Sequence, residues 1–242
     1  CTRALVLDPR LADAHVCLAR IHDGRGRYEE AAVQFQRALD SEPTNAEAHT
    51  GLGRAQEQLG RLDDAESTYR RAIALRPRDW VNYNELGRFY FNRARYADAA
   101  EMFAQVVALV PDGFRGYSNL GGTFIHLGRY DEAIAALERS VAIRPTPSST
   151  SNLGTAYFDR GRYAEAARAF EDAVMLVDTN YELWGNLGDA YYWAPGARPN
   201  ATTAYRRAIS LGQQQLEVNP RDAVLVSKLA HYHAMLGERS QA

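Results

Sequence analysis

The strongest pattern along the chain is a helical stripe of apolar positions that returns again and again. Two consecutive sets are Tyr83, Leu86, Gly87 and Tyr90, then Tyr117, Leu120, Gly121 and Phe124. Positions i, i+3, i+4 and i+7 share one face of an α-helix. After a break near a glycine such as Gly60 or Gly128, a second apolar set follows. The pattern therefore predicts amphipathic helices in pairs.

These pairs recur at a nearly fixed period. The central leucines are spaced 34, 34, 34, 33, 34 and 42 residues apart, at Leu18, Leu52, Leu86, Leu120, Leu153, Leu187 and Leu229. Prolines keep a period of 34 residues, at Pro9, Pro43, Pro77, Pro111 and Pro145. Such a period indicates stacked helical hairpins, each of which buries its apolar face against its neighbours. We therefore expect a single array over residues 1–242.

Small residues recur where two helices of a pair must come close. The first helices carry Ala19, Gly53, Gly87, Gly121, Gly154, Gly188 and Ala230, and the second helices carry Ala31, Ala65, Ala99, Ala133 and Ala166. Glycine inside a helix costs about 1 kcal/mol relative to alanine, so five such glycines need a packing reason. We expect close approach of the two backbones at these positions.

Taken in order, these residues resemble the tetratricopeptide repeat. One example is Leu120-Gly121, Phe124, Gly128, Ala133, Leu137 and Pro145. The resemblance implies an all-α fold, an α-solenoid of antiparallel helix pairs that form a right-handed superhelix. We place repeats at 12–45, 46–79, 80–113, 114–146, 147–180 and 181–222, the last of them extended. Residues 1–11 match the second helix of a preceding repeat, and 223–242 match the first helix of a further repeat.

Both ends of the sequence thus fall inside a repeat, which predicts a segment of a longer protein. A terminal repeat normally carries a polar capping face. The last predicted helix instead presents Val226, Leu229, His233 and Leu236. We expect further sequence to cover this face, or a second copy of the chain to pair there through uncapped ends.

Composition and charge narrow the classes of partner. The 28 basic and 30 acidic residues give a net charge of −2, without a general electrostatic footprint for nucleic acid or for an anionic membrane. No stretch approaches the roughly 18 apolar residues of a membrane span.

Lys228 is the only lysine, and we interpret this excess of arginine as the mark of a bacterial genome. Cys1 and Cys17 are too few for a disulfide framework or paired metal site, so the prediction is a cytoplasmic protein.

The resemblance also indicates where a ligand would bind, because in this family the first helices line the concave surface. In the first three repeats the residues facing that surface are charged, and from the third repeat a large apolar residue stands five after the leucine. The apolar row is Phe91, Ile125, Phe158 and Tyr192, with Trp193 beside the last. These side chains either tuck against the neighbouring helix or form an apolar wall.

A second row consists of the asparagines that precede the leucine in three consecutive repeats, Asn119, Asn152 and Asn186. A side-chain amide can both donate and accept, so a ladder of amides suits the backbone of an extended peptide. In peptide-binding members of the family, including the array of O-linked N-acetylglucosamine transferase, asparagines at the matching place do this. The alternative is that Asn-Leu-Gly belongs to the family consensus without a binding role.

A row of arginines, Arg20, Arg54 and Arg88, lies two residues after the leucines. We interpret it as salt bridges between repeats, or alternatively as a site for an acidic segment, and we include Arg88 among the candidate peptide-binding residues. The position two before the leucine, which is basic in the chaperone-tail clamp of the family, carries no basic residue here. A clamp of that kind is therefore not expected.

Catalytic and metal chemistry is not predicted. The histidines at 15, 22, 49 and 233 have the apolar phase of their helices, and His126 lies on the groove side. No nucleophile has a placed base, and neither a cofactor nor a metal is expected. The sequence predicts a non-catalytic scaffold that binds a peptide or protein segment in its concave groove. The alternative is a regulatory or substrate-recruiting module of a larger enzyme, such as a bacterial Ser/Thr kinase or a glycosyltransferase.

Overall fold

The fold was analysed in a computed structural model that describes residues 1–238. The regular structure of these residues consists of fourteen α-helices without a strand. They form two compact units, which meet in sequence at Pro111 and Asp112.

The first unit contains a short leading helix and three helix pairs. Its helices are α1 (Thr2–Leu7), α2 (Ala12–Asp23), α3 (Tyr28–Ser41), α4 (Ala46–Gln58), α5 (Leu62–Leu75), α6 (Trp80–Phe91) and α7 (Tyr96–Leu109). The pairs α2–α3, α4–α5 and α6–α7 each pack along their lengths, and α3 also packs on α4. Each pair is thus a helical hairpin closed by a short turn.

The second unit repeats this arrangement and adds a final helix. It comprises α8 (Phe114–His126), α9 (Tyr130–Ile143), α10 (Pro147–Asp159), α11 (Tyr163–Leu176), α12 (Tyr181–Trp193), α13 (Arg198–Val218) and α14 (Ala223–Met235). The pairs are α8–α9, α10–α11 and α12–α13. The predicted all-α fold of stacked helix pairs is confirmed, whereas the division into repeats at the stated boundaries stays a prediction.

Local sequence signals explain where the helices begin and end. Most turns within pairs have a glycine in the left-handed region, such as Gly60 (φ 72°) and Gly128 (φ 69°), whereas the α6–α7 turn has Ala94 there (φ 54°). Several first helices begin at a polar cap. The side chain of Asn45 accepts a hydrogen bond from the backbone N–H of Ala48 at 3.0 Å, which satisfies a donor that the helix leaves open.

The packing reason for glycines inside the first helices is mainly room for a side chain of the partner helix, not the expected close approach of two backbones. A Cβ atom added to Gly87 in α6 would lie 2.8 Å from the ring of Phe103 in α7. At the equivalent place in the second unit, a Cβ on Gly154 would lie 2.7 Å from the ring of Phe170. Each glycine therefore leaves room for an aromatic ring of its partner helix, which accounts for its presence inside a helix.

The last helix corrects one expectation. Of the face predicted to lack a partner, Leu229 and His233 are buried, and Leu236 packs against the same cluster. Only Val226 is exposed. The reason is the extension of α13, whose Gly212 would place a Cβ only 2.7 Å from Leu229 and so lets α14 dock closely. Self-association stays a prediction, but most of its predicted surface is covered.

A disulfide joins Cys1 to Cys17, whose Cα atoms lie 6.0 Å apart. It connects the start of α1 to α2 within the first unit. Two cysteines are too few for a framework of disulfides, and this single bond was not predicted from the sequence. Disulfides are typical of oxidising compartments, so the cytoplasmic location, which stays a prediction, gains no support from it. None of the helices in residues 1–238 has the length and apolar character needed to cross a bilayer.

Candidate functional site

In the second unit, the first helices of successive pairs are neighbours, since α8 contacts α10 and α10 contacts α12. We call the surface formed by these three helices the first-helix surface. Asn119, Asn152 and Asn186 occupy the same register on it and are half-buried. The amide nitrogen of Asn152 would lie 3.2 Å from a Cβ atom on Gly122 of α8, so it reaches the neighbouring helix. The structure thus places the three predicted asparagines on one surface.

The side-chain amides of Asn152 and Asn186 have no hydrogen-bond partner within the described residues, 1–238. Polar groups withdrawn from water are normally hydrogen-bonded. Two half-buried amides at equivalent positions therefore have donors and acceptors available to a ligand.

The apolar row is partly packed and partly accessible. Ile125 and Phe158 are half-buried against the hydrophobic core, and Tyr192 packs against the cluster around Tyr205. In the first unit, Phe91 is half-buried, with its ring centroid 5.4 Å from that of Tyr96. These four side chains are thus partly packed within the fold, and their role as an apolar wall for a ligand stays a prediction.

Trp193 differs from the rest of the row because 56% of it is exposed. Its ring centroid lies 5.3 Å from that of Tyr192 and 6.1 Å from that of Tyr163 in α11. The guanidinium of Arg198 sits 4.2 Å from the centroid of Tyr192 and donates to its hydroxyl oxygen at 2.7 Å. Tyr163 and Arg198 belong to second helices and were not predicted from the sequence, because Tyr163 meets Trp193, and Arg198 meets Tyr192, only in the fold.

In the first unit, the arginine row forms salt bridges between pairs. The side-chain nitrogen and oxygen atoms lie 3.3 Å apart for Arg20–Glu47, 3.2 Å for Arg54–Asp23 and 3.6 Å for Arg88–Glu57. Burial disfavours the charged form of Arg88, but the carboxylates of Glu85 and Glu57 raise its pKa above the ordinary value. The salt-bridge interpretation is confirmed. A ligand carboxylate would have to compete for Arg88 with both acidic side chains.

A cavity of about 190 Å³ opens in the second unit beside the asparagine row. It is lined by Thr155, Phe158, Phe170, Asn186 and Asp189. The Oδ1 atom of Asp189 accepts hydrogen bonds from the hydroxyl of Tyr205 at 2.7 Å and from Nε2 of His231 at 3.0 Å. Asp189 is not among the residues predicted from the sequence, because a single acidic residue on a helix belongs to no motif.

The histidines behave largely as packing residues. Buried His15 lies within hydrogen-bond distance of the Gln34 side chain and of the Pro9 carbonyl. Buried His233 pairs with Glu238 at 2.7 Å. His22 differs, since its buried Nδ1 has no hydrogen-bond partner in residues 1–238. Over the same residues, no group of three or more His, Cys, Asp or Glu side chains could hold a metal ion.

Comparison with known families settles what this arrangement of helices is. A family model described as tetratricopeptide repeat matches residues 16–79 and 84–148, and a second model of the same description matches 148–174. The chain belongs to the tetratricopeptide repeat family. Members of this family are typically non-catalytic scaffolds for protein–protein interaction, and the chain has the fold of such a scaffold.

Solved structures of the tetratricopeptide kind share the fold. The structure of PilF from Pseudomonas aeruginosa is 21% identical, covers 92% of this chain and 96% of its own, and superposes with a TM-score of 0.74. MamA from Desulfovibrio magneticus RS-1 is 22% identical over 69% of this chain and 96% of its own, with a TM-score of 0.62. A search of curated proteins found no significant match.

A third similar structure is YrrB, described as a tetratricopeptide protein with an unusual peptide-binding site. It is 19% identical over 79% of this chain and 94% of its own, with a TM-score of 0.63. At this level of identity, the likeness concerns the fold.

Proposed function

We propose that this tetratricopeptide array binds an extended peptide segment of another protein on the first-helix surface of its second unit. The observation that carries the proposal is the pair of half-buried, unpaired amides of Asn152 and Asn186 on neighbouring helices. An extended peptide offers alternating N–H and C=O groups, and amide side chains at successive positions can pair with both. Asn119, in the same register on α8, provides the third position.

The aromatic residues next to this row supply apolar contact area. Trp193 is mostly exposed, and its indole ring contacts the rings of Tyr163 and Tyr192. Large aromatic side chains of this kind dominate the binding energy of many interfaces, because they bury much area with few rotatable bonds. The backbone of the ligand would pair with the asparagines while one of its apolar side chains packs on Trp193.

Support from relatives is limited to the kind of ligand. YrrB is described as having a peptide-binding site, and we extend that class of ligand, without its details, to the present chain. Phe91, the one member of the apolar row in the first unit, and Arg88 mark a less favourable place, since Arg88 is already paired with Glu57 and Glu85.

The experiment is selection of peptides from a displayed library of random dodecapeptides, followed by titration of the selected peptide. The test variant carries Asn119→Ala, Asn152→Ala and Asn186→Ala together. The control is Asn200→Ala, which removes an exposed asparagine in the first turn of α13. Loss of two or three hydrogen bonds of roughly 1 kcal/mol each predicts an affinity at least about tenfold lower for the triple variant alone. Equal affinities for all three proteins would exclude the asparagine ladder.

A further inference from the structure

We propose that the cavity beside Asn186 is a specificity pocket for a basic side chain, arginine or lysine, of the bound segment. This inference rests on the proposed peptide-binding function and names one feature of the ligand. It is carried by the register of the first helices, by the charge of the pocket and by its aromatic walls.

The two units carry different residues at two equivalent positions of their first helices. In the first unit, the residue five after the central leucine of one repeat pairs with the residue two after the central leucine of the next repeat. The pairs at this place are Asp23 with Arg54 and Glu57 with Arg88, at 3.2 Å and 3.6 Å. In the second unit, the same two positions are Phe158 and Asp189, and both line the cavity. Phe158 thus stands where the first unit has the acid, and Asp189 stands where it has the arginine, so an acid is present without an arginine at either position.

The charge of the pocket is left without a permanent counter-charge. Asp189 is 28% exposed at its side chain, and its ion-pair partner among residues 1–238 is His231, which is charged only if protonated. A neutral imidazole donates a hydrogen bond without cancelling the carboxylate charge. Both hydrogen bonds of Asp189 within the described residues fall on Oδ1, so Oδ2 accepts none of them. A cationic side chain of the ligand could form an ion pair with this carboxylate.

The walls of the pocket suit the rest of a basic side chain. Besides Asp189, its lining residues are the aromatic Phe158 and Phe170 and the polar Asn186 and Thr155. A guanidinium stacks well on an aromatic face while its edge donates to a carboxylate. The chain uses this contact internally, since Arg93 lies 4.0 Å from the ring centroid of Phe89.

The size of the pocket is compatible with one side chain. Its volume of about 190 Å³ is several times the ~30 Å³ that a water molecule occupies in the liquid. The wall residues Asn186 and Asp189 lie one helical turn apart on α12, so the same helix would hold the peptide backbone and read its side chain. An acidic ligand side chain in this place would face Asp189 and be repelled.

The test uses the same library selection with three proteins, namely the wild type, Asp189→Asn and the control Asp172→Asn. Asp172 is an exposed acid on α11, so its replacement makes the same change of charge away from the pocket. Asparagine at 189 keeps an oxygen for Tyr205, and thermal unfolding verifies that each variant is folded. The best selected peptide is then titrated beside a copy in which citrulline replaces its arginine, or norleucine its lysine.

We expect peptides selected by the wild type and by Asp172→Asn to carry arginine or lysine at one fixed position, and Asp189→Asn to lose this preference. The neutral copy should bind the wild type about tenfold more weakly, and the gap should close in Asp189→Asn. Peptides selected without a basic preference would overturn the pocket and leave peptide binding intact. Failure of the wild type to select any peptide would instead refute the proposed function, and the pocket with it.

Discussion

At the scale of single residues, one of the most crowded helix contacts is the one that Gly51 of α4 makes with Phe35 of α3. A Cβ atom at Gly51 would lie 2.2 Å, 2.3 Å and 2.7 Å from three atoms of that ring, which is fully buried. Gly51→Ala would gain about 1 kcal/mol of helix propensity, but the added methyl group would overlap the ring of Phe35 and force it to shift. We expect a net destabilisation of about 2 kcal/mol, measured by urea unfolding.

Gly24→Ala is the control for this substitution. Gly24 has ordinary right-handed backbone angles, and a Cβ atom added there would lie no closer than 3.4 Å to the backbone oxygen of Arg20. The free energy of unfolding should therefore change by less than about 0.5 kcal/mol. A similar change in unfolding free energy at both positions would mean that contact with Phe35 is not the reason for a glycine at position 51.

A second residue-scale prediction concerns Glu57, whose side chain is only 6% exposed and pairs with Arg88 and Arg93. Glu57→Gln removes the charge and leaves both guanidinium groups partly buried without it. Because hydrogen bonds to charged groups contribute about 1.5–3 kcal/mol, we expect a loss of about 2 kcal/mol in unfolding free energy.

The matched substitution is Glu47→Gln. Glu47 is 59% exposed and pairs with Arg20, which is 70% exposed. Exposed ion pairs contribute roughly 0–1 kcal/mol, so chemical unfolding should detect little change. An equal loss for both variants would contradict the distinction between buried and exposed salt bridges in the arginine row.

At the scale of helices, tyrosine–glutamate hydrogen bonds connect one pair to the next in the second unit. Tyr191 of α12 donates to Glu171 of α11 at 2.6 Å, and Tyr157 of α10 donates to Glu138 of α9 at 2.5 Å. Burial first, and then the hydrogen bond to the carboxylate and its charge, raise the pKa of both phenols to about 12. The folded protein therefore keeps protons on these tyrosines that the unfolded chain loses near pH 10.

This difference predicts a loss of stability in alkali. A raised folded-state pKa stabilises the protein fully below about pH 10, and the contribution disappears as the pH rises through about 12. The urea midpoint should therefore fall between these values. The double variant Tyr157→Phe, Tyr191→Phe should be less stable at pH 8 and lose less than the wild type on raising the pH. The same alkaline loss in both proteins would show that other groups cause it.

The docking of α14 is the second helix-scale prediction. Leu229 is 7% exposed and packs near Gly212 of α13, whereas Val226 on the same helix is 49% exposed. Leu229→Ala should reduce the unfolding free energy by about 2–4 kcal/mol through lost burial and a cavity. Val226→Ala should change it by less than about 1 kcal/mol. Hydrogen exchange along α14 would show whether the loss is local.

Much of the whole molecule could be predicted from its sequence, because the repeat period and the helical spacing of apolar residues independently predict the same helix pairs. Contacts that depend on a departure from the repeat could not be predicted in this way. The burial of Leu229 follows from the extra turns of α13, and the pairing of Cys1 with Cys17 follows from how α1 lies on α2. Asp189 has no motif, and only the neighbouring helix gives it a cavity with Phe158.

For the candidate site, too, contacts between different repeats could not be predicted from the sequence. The spacing of Asn152 and Asn186 placed both on one surface, since register on equivalent helices is set by the period alone. Whether their amides are already occupied depends on neighbours from other repeats, and the structure shows them without partners in residues 1–238. The aromatic cluster of Trp193 likewise needs Tyr163 from a second helix.

The central claim is that the first-helix surface of the second unit binds a peptide through its asparagines. Its most direct test follows the side-chain amide resonances of Asn152 and Asn186, assigned by single substitution, in ¹⁵N-labelled protein titrated with a library-selected peptide. The account predicts that both amide pairs shift in step with binding, together with the indole N–H of Trp193, while the side chain of Asn200 does not. Saturable binding that leaves both asparagine amides unchanged would contradict it.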